Sequence, residues 1–140
     1  MTIEAHLHRN ETVAGVRSAV TLLTNGRHTW SADVDKTLGS LDAAPGPHDL
    51  LDSALAACTT LTLELYIRRK ALPVTALKVT VDHTESRGDD GRVRYQMARS
   101  IHIEGEAPTA EDRQRLLEIA GKCPIHRILE GETHVDSTLV

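Results

Sequence analysis

Apolar and polar positions alternate over residues 3–8 (IEAHLH), the two-residue period of an edge strand. Two further strand-like runs, VRSAVTLL at 16–23 and HTWSADV at 28–34, flank the pair Asn25-Gly26. That pair predicts a type I′ hairpin, whose two central residues both take positive φ. Residues 35–46 hold Asp, Gly, Ser and Pro and read as a loop. The longest regular piece runs from Pro47 to Lys70. Pro47 suits the first helical position, where a missing N–H costs nothing. Asp49 brings negative charge to the first turn, and Arg68, Arg69 and Lys70 bring positive charge to the last, as the helix dipole favours. Pro73 blocks continuation.

Between Leu50 and Leu65 the only charges are Asp52 and Glu64, with Ser and Thr at most other polar places. Such a helix is expected to be buried on nearly all sides, at the centre of a domain or a dimer. Leu51, Leu55, Cys58, Leu61 or Thr62, and Leu65 follow helical spacing and form its expected apolar stripe. Strands follow at 74–85 and 93–105, joined by Gly88-Asp89-Asp90-Gly91. A second helix starts at Thr109, whose hydroxyl can form a capping box with Asp112. Leu116, Leu117, Ile119 and Ala120 give it an apolar face, and Gly121 stops it. A short helix starts at Cys123-Pro124, and a last strand is expected near 132–136. This element order describes an α+β fold.

The chain has 140 residues, which suits a single domain over 1–140. A chain of this size buries roughly two-thirds of its unfolded surface, enough for one core without staples. Phe is absent, with one Trp and two Tyr, so the core must come from Leu, Val, Ile and Ala. Subunit association is expected to supply part of the burial, as a homodimer. No apolar run approaches the roughly 18 residues of a membrane span, so no membrane partner is expected. The N-terminus lacks the basic and apolar regions of a secretory signal, and a cytoplasmic location follows as the expectation. Net charge is −4 with scattered basic residues, which argues against a nucleic-acid partner. Asn10-Glu11-Thr12 matches a glycosylation sequon and is read as chance without a secretory route.

Cys58 and Cys123 are the only cysteines. In a reducing compartment they are not expected to form a structural disulfide. Cys58 lies in the middle of the long helix, where the dipole does little for a thiolate, and could be a small core residue. Cys123 precedes Pro124 and so occupies a helix N-cap, where free N–H groups favour an anion and lower thiol pKa values. Lys122, His126 and Arg127 add positive charge nearby.

GPHDLLDSALAACTTLTLELYIRRK (46–70) resembles the first cysteine helix of the OsmC/Ohr family, and KCPIHRILEGE (122–132) resembles its second cysteine segment. The resemblance covers most of the chain from about residue 15 onward. It implies an OsmC-like fold of antiparallel sheets around a long central cysteine helix, in an intertwined homodimer with active sites at the subunit interface. It implies thiol-dependent reduction of organic hydroperoxides, and possible action on hydrogen peroxide. Cys58 would attack the O–O bond and become a sulfenic acid, Cys123 would condense with it to a disulfide, and an external dithiol would regenerate the pair. No metal or organic cofactor is implied. The family's peroxidases pair an Arg and a Glu beside the reactive Cys. Counting back from Asn25-Gly26, Arg17 falls at the Arg place. The Glu place is His48, with Asp49 next, and neither is a like-for-like replacement. The chain looks more like the general OsmC-like branch than the specialised hydroperoxide enzymes.

Two other readings compete. One is a non-catalytic OsmC-fold protein that binds a small apolar ligand or acts as a redox-sensitive partner. The other is metal binding: His6 and His8 would share one strand face, with His83, His102 and His134 scattered elsewhere. No Cys-x-x-Cys or His-Glu-x-x-His pattern supports the metal reading.

Overall fold

Two compact units, Met1–Leu51 and Asp52–Val140, make up the chain in a computed structural model that describes residues 1–106 and 108–140. In the first unit β1 (Glu4–His6), β4 (Thr21–Thr24) and β5 (Thr29–Ala32) form an antiparallel sheet in the order β1-β4-β5. A separate ribbon pairs β2 (Thr12–Val13) with β3 (Val16–Arg17). The run 16–23 is thus not one strand. It breaks at Ser18, whose N–H goes to the Glu11 carbonyl and whose hydroxyl accepts from Val20 N–H.

The primed turn also sits elsewhere than expected. Ala14 and Gly15, with φ of 50° and 78°, join β2 to β3 and meet the two-positive-φ requirement of type I′. Between β4 and β5 only Gly26 has positive φ, and the loop is closed by Asn25 N–H to the His28 carbonyl at 3.2 Å. Asn25 works there through its side chain. Its Oδ1 accepts from the N–H groups of Arg27 and His28 at 2.9 and 2.8 Å.

Asp33 organises the segment that follows, which includes a 3-10 turn at Lys36–Leu38. Its carboxylate accepts from Ser40 Oγ at 2.6 Å, Val34 N–H at 2.8 Å and Ala43 N–H at 3.0 Å. Ser40 Oγ in turn accepts from Ala19 N–H. A short side chain that takes three donors satisfies backbone groups a loop would otherwise bury unpaired.

Helix α1 spans Pro47–Lys70, as its sequence signals dictate. Asp49 Oδ2 accepts from Gly46 N–H at 2.9 Å and so closes the first turn. The buried face of α1 is Leu55, Thr59, Leu63 and Ile67, spaced four apart. This corrects the expected stripe: Leu51, Leu61 and Leu65 are exposed in the single chain, and Cys58 is half-buried beside the true face. The expectation that nothing is long and apolar enough to cross a bilayer also fails for α1. An 18-residue window of it reaches a mean hydropathy of 1.3, because Thr and Ala interrupt the leucines at little hydropathic cost. Leu63 and Ile67 nonetheless serve as core residues of the second unit.

In that unit β6 (Val74–Arg87) and β7 (Val93–Gly105) form a long antiparallel hairpin with a bulge between Val74 and Ala76. Helix α2 (Ala110–Ala120) begins with the expected capping box, Asp112 N–H to Thr109 Oγ1 at 3.1 Å and Thr109 N–H to Asp112 Oδ2 at 3.2 Å. Gly121 ends it in a right-handed rather than a left-handed conformation. Leu63 and Ile67 of α1 meet Leu116, Ile119 and Ala120 of α2, with Leu77, Ile101 and Ile103 of the hairpin packed against them. Helix α3 (Pro124–Glu130) follows at once. The strand expected near 132–136 is absent: residues 132–140 are exposed and take no regular structure. A strand forms only against a partner, and the described chain offers that segment none.

Candidate functional site

The two thiols come together where the middle of α1 meets the start of α3. Cys58 is carried by the middle of α1, three residues beyond Leu55, and Cys123 caps α3 ahead of Pro124. The tight exit from α2 fixes Cys123: Lys122 N–H reaches the Ile119 carbonyl at 2.9 Å and Cys123 N–H the Ala120 carbonyl at 3.3 Å. Cys123 is fully buried, and the Cys58 and Cys123 side chains, both free thiols, lie close enough for each to shift the other.

Burial pushes the Cys58 thiol up, and its hydrogen bond to Cys123 adds to this, against weaker help from the Ile125 N–H and the Thr62 hydroxyl. Burial acts upward on Cys123 too. There it is outweighed by the hydrogen bond from Cys58, the N–H groups of His126 and Ile125, and Thr59, which together hold Cys123 below the ordinary thiol range. The N-cap position thus acts on Cys123 in the direction its sequence context predicts. Because the thiols interact, their protons come off as those of a pair, with the first negative charge favoured on Cys123.

An open pocket of about 490 Å³ lies in the same unit, lined by Leu55, Tyr95, Met97, Arg99, Leu117 and His126 among others. Arg99 is the residue the sequence reading missed. Along β7 the positions Tyr95, Met97, Arg99, Ile101 and Ile103 alternate inward and are each half-buried. A charge set into that apolar alternation was the available signal, since a half-buried Arg requires partners. Its Nη1 donates to Thr59 Oγ1 at 2.9 Å and to the Ala120 carbonyl at 3.3 Å. Asp52, one of the two charges between Leu50 and Leu65 on α1, accepts from Tyr95 Oη at 3.0 Å and pairs with His83 Nδ1 at 2.5 Å. His83 stacks on Tyr95 with ring centroids 4.7 Å apart.

The remaining expected site residues belong to the first unit. Arg17 is exposed at the end of β3, opposite Thr12. His48 and Asp49 are exposed in the first turn of α1, where Asp49 already serves Gly46. Among the described residues no group of three or more His, Cys, Asp or Glu side chains is arranged to hold a metal ion. His6 instead pairs with Glu4 on the same strand.

Known structures with the same fold carry two kinds of description. An OsmC-like protein from Mycoplasma pneumoniae is 22% identical, with a TM-score of 0.69 over 93% of this chain and 86% of that one. An organic hydroperoxide resistance protein from Elizabethkingia anophelis is 23% identical, with a TM-score of 0.67 over 94% and 89%. That of Bacillus subtilis is 15% identical, with a TM-score of 0.64 over 93% and 90%. No curated protein matches the chain. The sequence profile of the OsmC-like proteins matches residues 39–138, from the loop before α1 to the exposed tail, and with both cysteines inside that span the chain belongs to the OsmC-like protein family.

Proposed function

We propose that the protein is a thiol-dependent peroxidase that reduces organic hydroperoxides through a Cys58 sulfenic acid and a Cys58–Cys123 disulfide. The observation that carries this reading is the proximity of the two thiols, one half-buried and the other fully buried, each of which shifts the other. The descriptions of the Elizabethkingia and Bacillus structures as organic hydroperoxide resistance proteins support it. Cys58 gives up its proton to become the thiolate. The Cys58 sulfur then attacks one peroxide oxygen, the O–O bond breaks, and the alkoxide takes up the proton that Cys58 released and leaves as the alcohol. Cys58 is left as the sulfenic acid. Cys123 attacks that sulfur, the S–S bond forms, and the hydroxyl departs as water with the Cys123 proton. An external dithiol reduces the disulfide and is itself oxidised, so electrons balance. Arg17, with His48 or Asp49 holding its guanidinium, is the cation proposed to assist Cys58.

The test is peroxide consumption with dihydrolipoamide as reductant, comparing cumene hydroperoxide with hydrogen peroxide. Turnover that is faster with the organic peroxide supports the reading, and Arg17→Ala in the same assay should be slower. Absence of turnover with both peroxides would favour the non-catalytic alternative, for which the partly apolar pocket beside Leu55 and Leu117 is the candidate ligand site.

A homodimer is part of the same proposal. The outer face of α1 leaves Leu61 and Leu65 at 62% and 67% exposure in one chain, and burying them would supply the area that an aromatic-poor core lacks. Light scattering at micromolar concentration should give twice the chain mass. A stable monomer would contradict this.

A further inference from the structure

Arg99 has an arrangement that the two-thiol chemistry does not yet use. Its guanidinium is half-buried on the inward face of β7, opposite Val81. Among the described residues no carboxylate pairs with it, and its partners are two neutral oxygens, Thr59 Oγ1 and the Ala120 carbonyl. Both of those oxygens lead to Cys123. The Ala120 carbonyl also accepts the Cys123 N–H, so one oxygen ties the guanidinium to the Cys123 backbone. Thr59 is fully buried, and its side chain lies near enough to the Cys123 thiol to help hold it below the ordinary thiol range.

The Thr59 hydroxyl has one proton and two acceptors for it. One is the Leu55 carbonyl at 2.8 Å, and the other is the Cys123 sulfur. Arg99 fills one lone pair of that hydroxyl with a charged donor, which polarises the O–H toward whichever acceptor is more negative. When Cys123 is a thiol, the Leu55 carbonyl takes the proton. When Cys123 is a thiolate, the proton turns to sulfur. A half-buried guanidinium without a counter-charge then gains one, relayed through a single hydroxyl.

We propose that Arg99 is a positioning residue for the resolving thiol: gripping Thr59 and the Ala120 carbonyl, it holds Cys123 against Cys58 and supplies the positive charge that balances a negative Cys123. The proposal rests on the two-thiol reading above and deepens it by separating the two halves of the reaction. Arg99 serves the step in which Cys123 attacks the Cys58 sulfenic acid, with loss of water. Around the thiol stand Cys58 from α1, Arg99 from β7 and, from α3, His126, whose ring Nε2 pairs with Glu130 at 3.0 Å. It is the His126 N–H that helps to lower the Cys123 thiol, and the ring, paired with Glu130, is not the group assigned here.

Two measurements test this. In a Cys58→Ser background, the ultraviolet absorbance of the Cys123 thiolate is followed against pH. Arg99→Ala should move the midpoint upward, and Arg99→Lys, which keeps a charge but loses the planar fork, should recover part of the shift. In the two-cysteine protein, single-turnover mixing with cumene hydroperoxide separates sulfenic acid formation from disulfide closure. Arg99→Ala should slow closure about tenfold or more at neutral pH, a factor that one pH unit restores. Thr59→Val should slow closure as well, and adding Arg99→Ala to it should cost less than Arg99→Ala costs in the parent, since the relay is already cut and only the grip on the Ala120 carbonyl remains. An unchanged midpoint and closure rate in both Arg99 variants would overturn the proposal, as would additive effects of Arg99→Ala and Thr59→Val. If the parent forms no sulfenic acid, the peroxidase reading fails instead, and the absorbance titration still decides the role of Arg99.

Discussion

Replacing Cys58 by Ser should abolish hydroperoxide consumption, with a loss of about a thousandfold or more, because no other group can accept the peroxide oxygen. Replacing Cys123 by Ser should behave differently. The first step survives, so each chain consumes a single peroxide and stops as a sulfenic acid that a carbon nucleophile such as dimedone traps. The asymmetry follows from the site. Cys58 is half-buried, whereas Cys123 is fully buried. In the parent, burial and the bond to Cys123 raise the Cys58 thiol, so a small thiolate fraction is present at neutral pH and the first step should accelerate as pH rises. Equal and complete loss of the first step in both variants would assign the attacking sulfur to the wrong residue, or to both.

The second large effect is on stability. Leu63 is fully buried where α1, α2 and the β6–β7 hairpin meet. Leu63→Ala should lower the unfolding free energy by roughly 2–5 kcal/mol, the lost transfer energy plus a cavity that surrounding side chains only partly fill. Denaturant unfolding measures the change. A loss below about 1 kcal/mol would mean that this cluster is not the core of the unit.

Local signals explain what the sequence made legible. The bounds of α1 were readable because Pro47, Asp49, the basic triplet at 68–70 and Pro73 each act within one turn of a helix end. The α2 capping box was readable for the same reason. Strands 74–85 and 93–105 were readable on either side of the turn-rich Gly88-Asp89-Asp90-Gly91, and only the bulge at Val74/Ala76 and the two extra residues at Arg87 needed the fold. The features that were not legible depend on neighbours distant in sequence. Which face of α1 is buried depends on where α2 docks, so Thr59 took the place expected for Cys58. The tail at 132–140 has strand-like residues without a strand to pair with. Arg99 counted among scattered basic residues until the fold placed it forty residues away in sequence but one hydrogen bond away in space from Thr59. Asn25-Gly26 marked a hairpin correctly, yet the turn chemistry there belongs to the Asn25 side chain, and the two-positive-φ turn belongs to Ala14-Gly15.

Stoichiometric oxidation tests the central claim most directly. The reduced protein, with its free Cys58 and Cys123, is mixed with one equivalent of cumene hydroperoxide, and the products are read by thiol titration, intact mass and peptide mapping. The account predicts that both thiols of each chain disappear together, that the chain loses two hydrogens and gains no oxygen, and that one linked peptide joins Cys58 to Cys123. Two thiols still free after the peroxide is offered, a mass raised by oxygen, or a disulfide between different chains would contradict it.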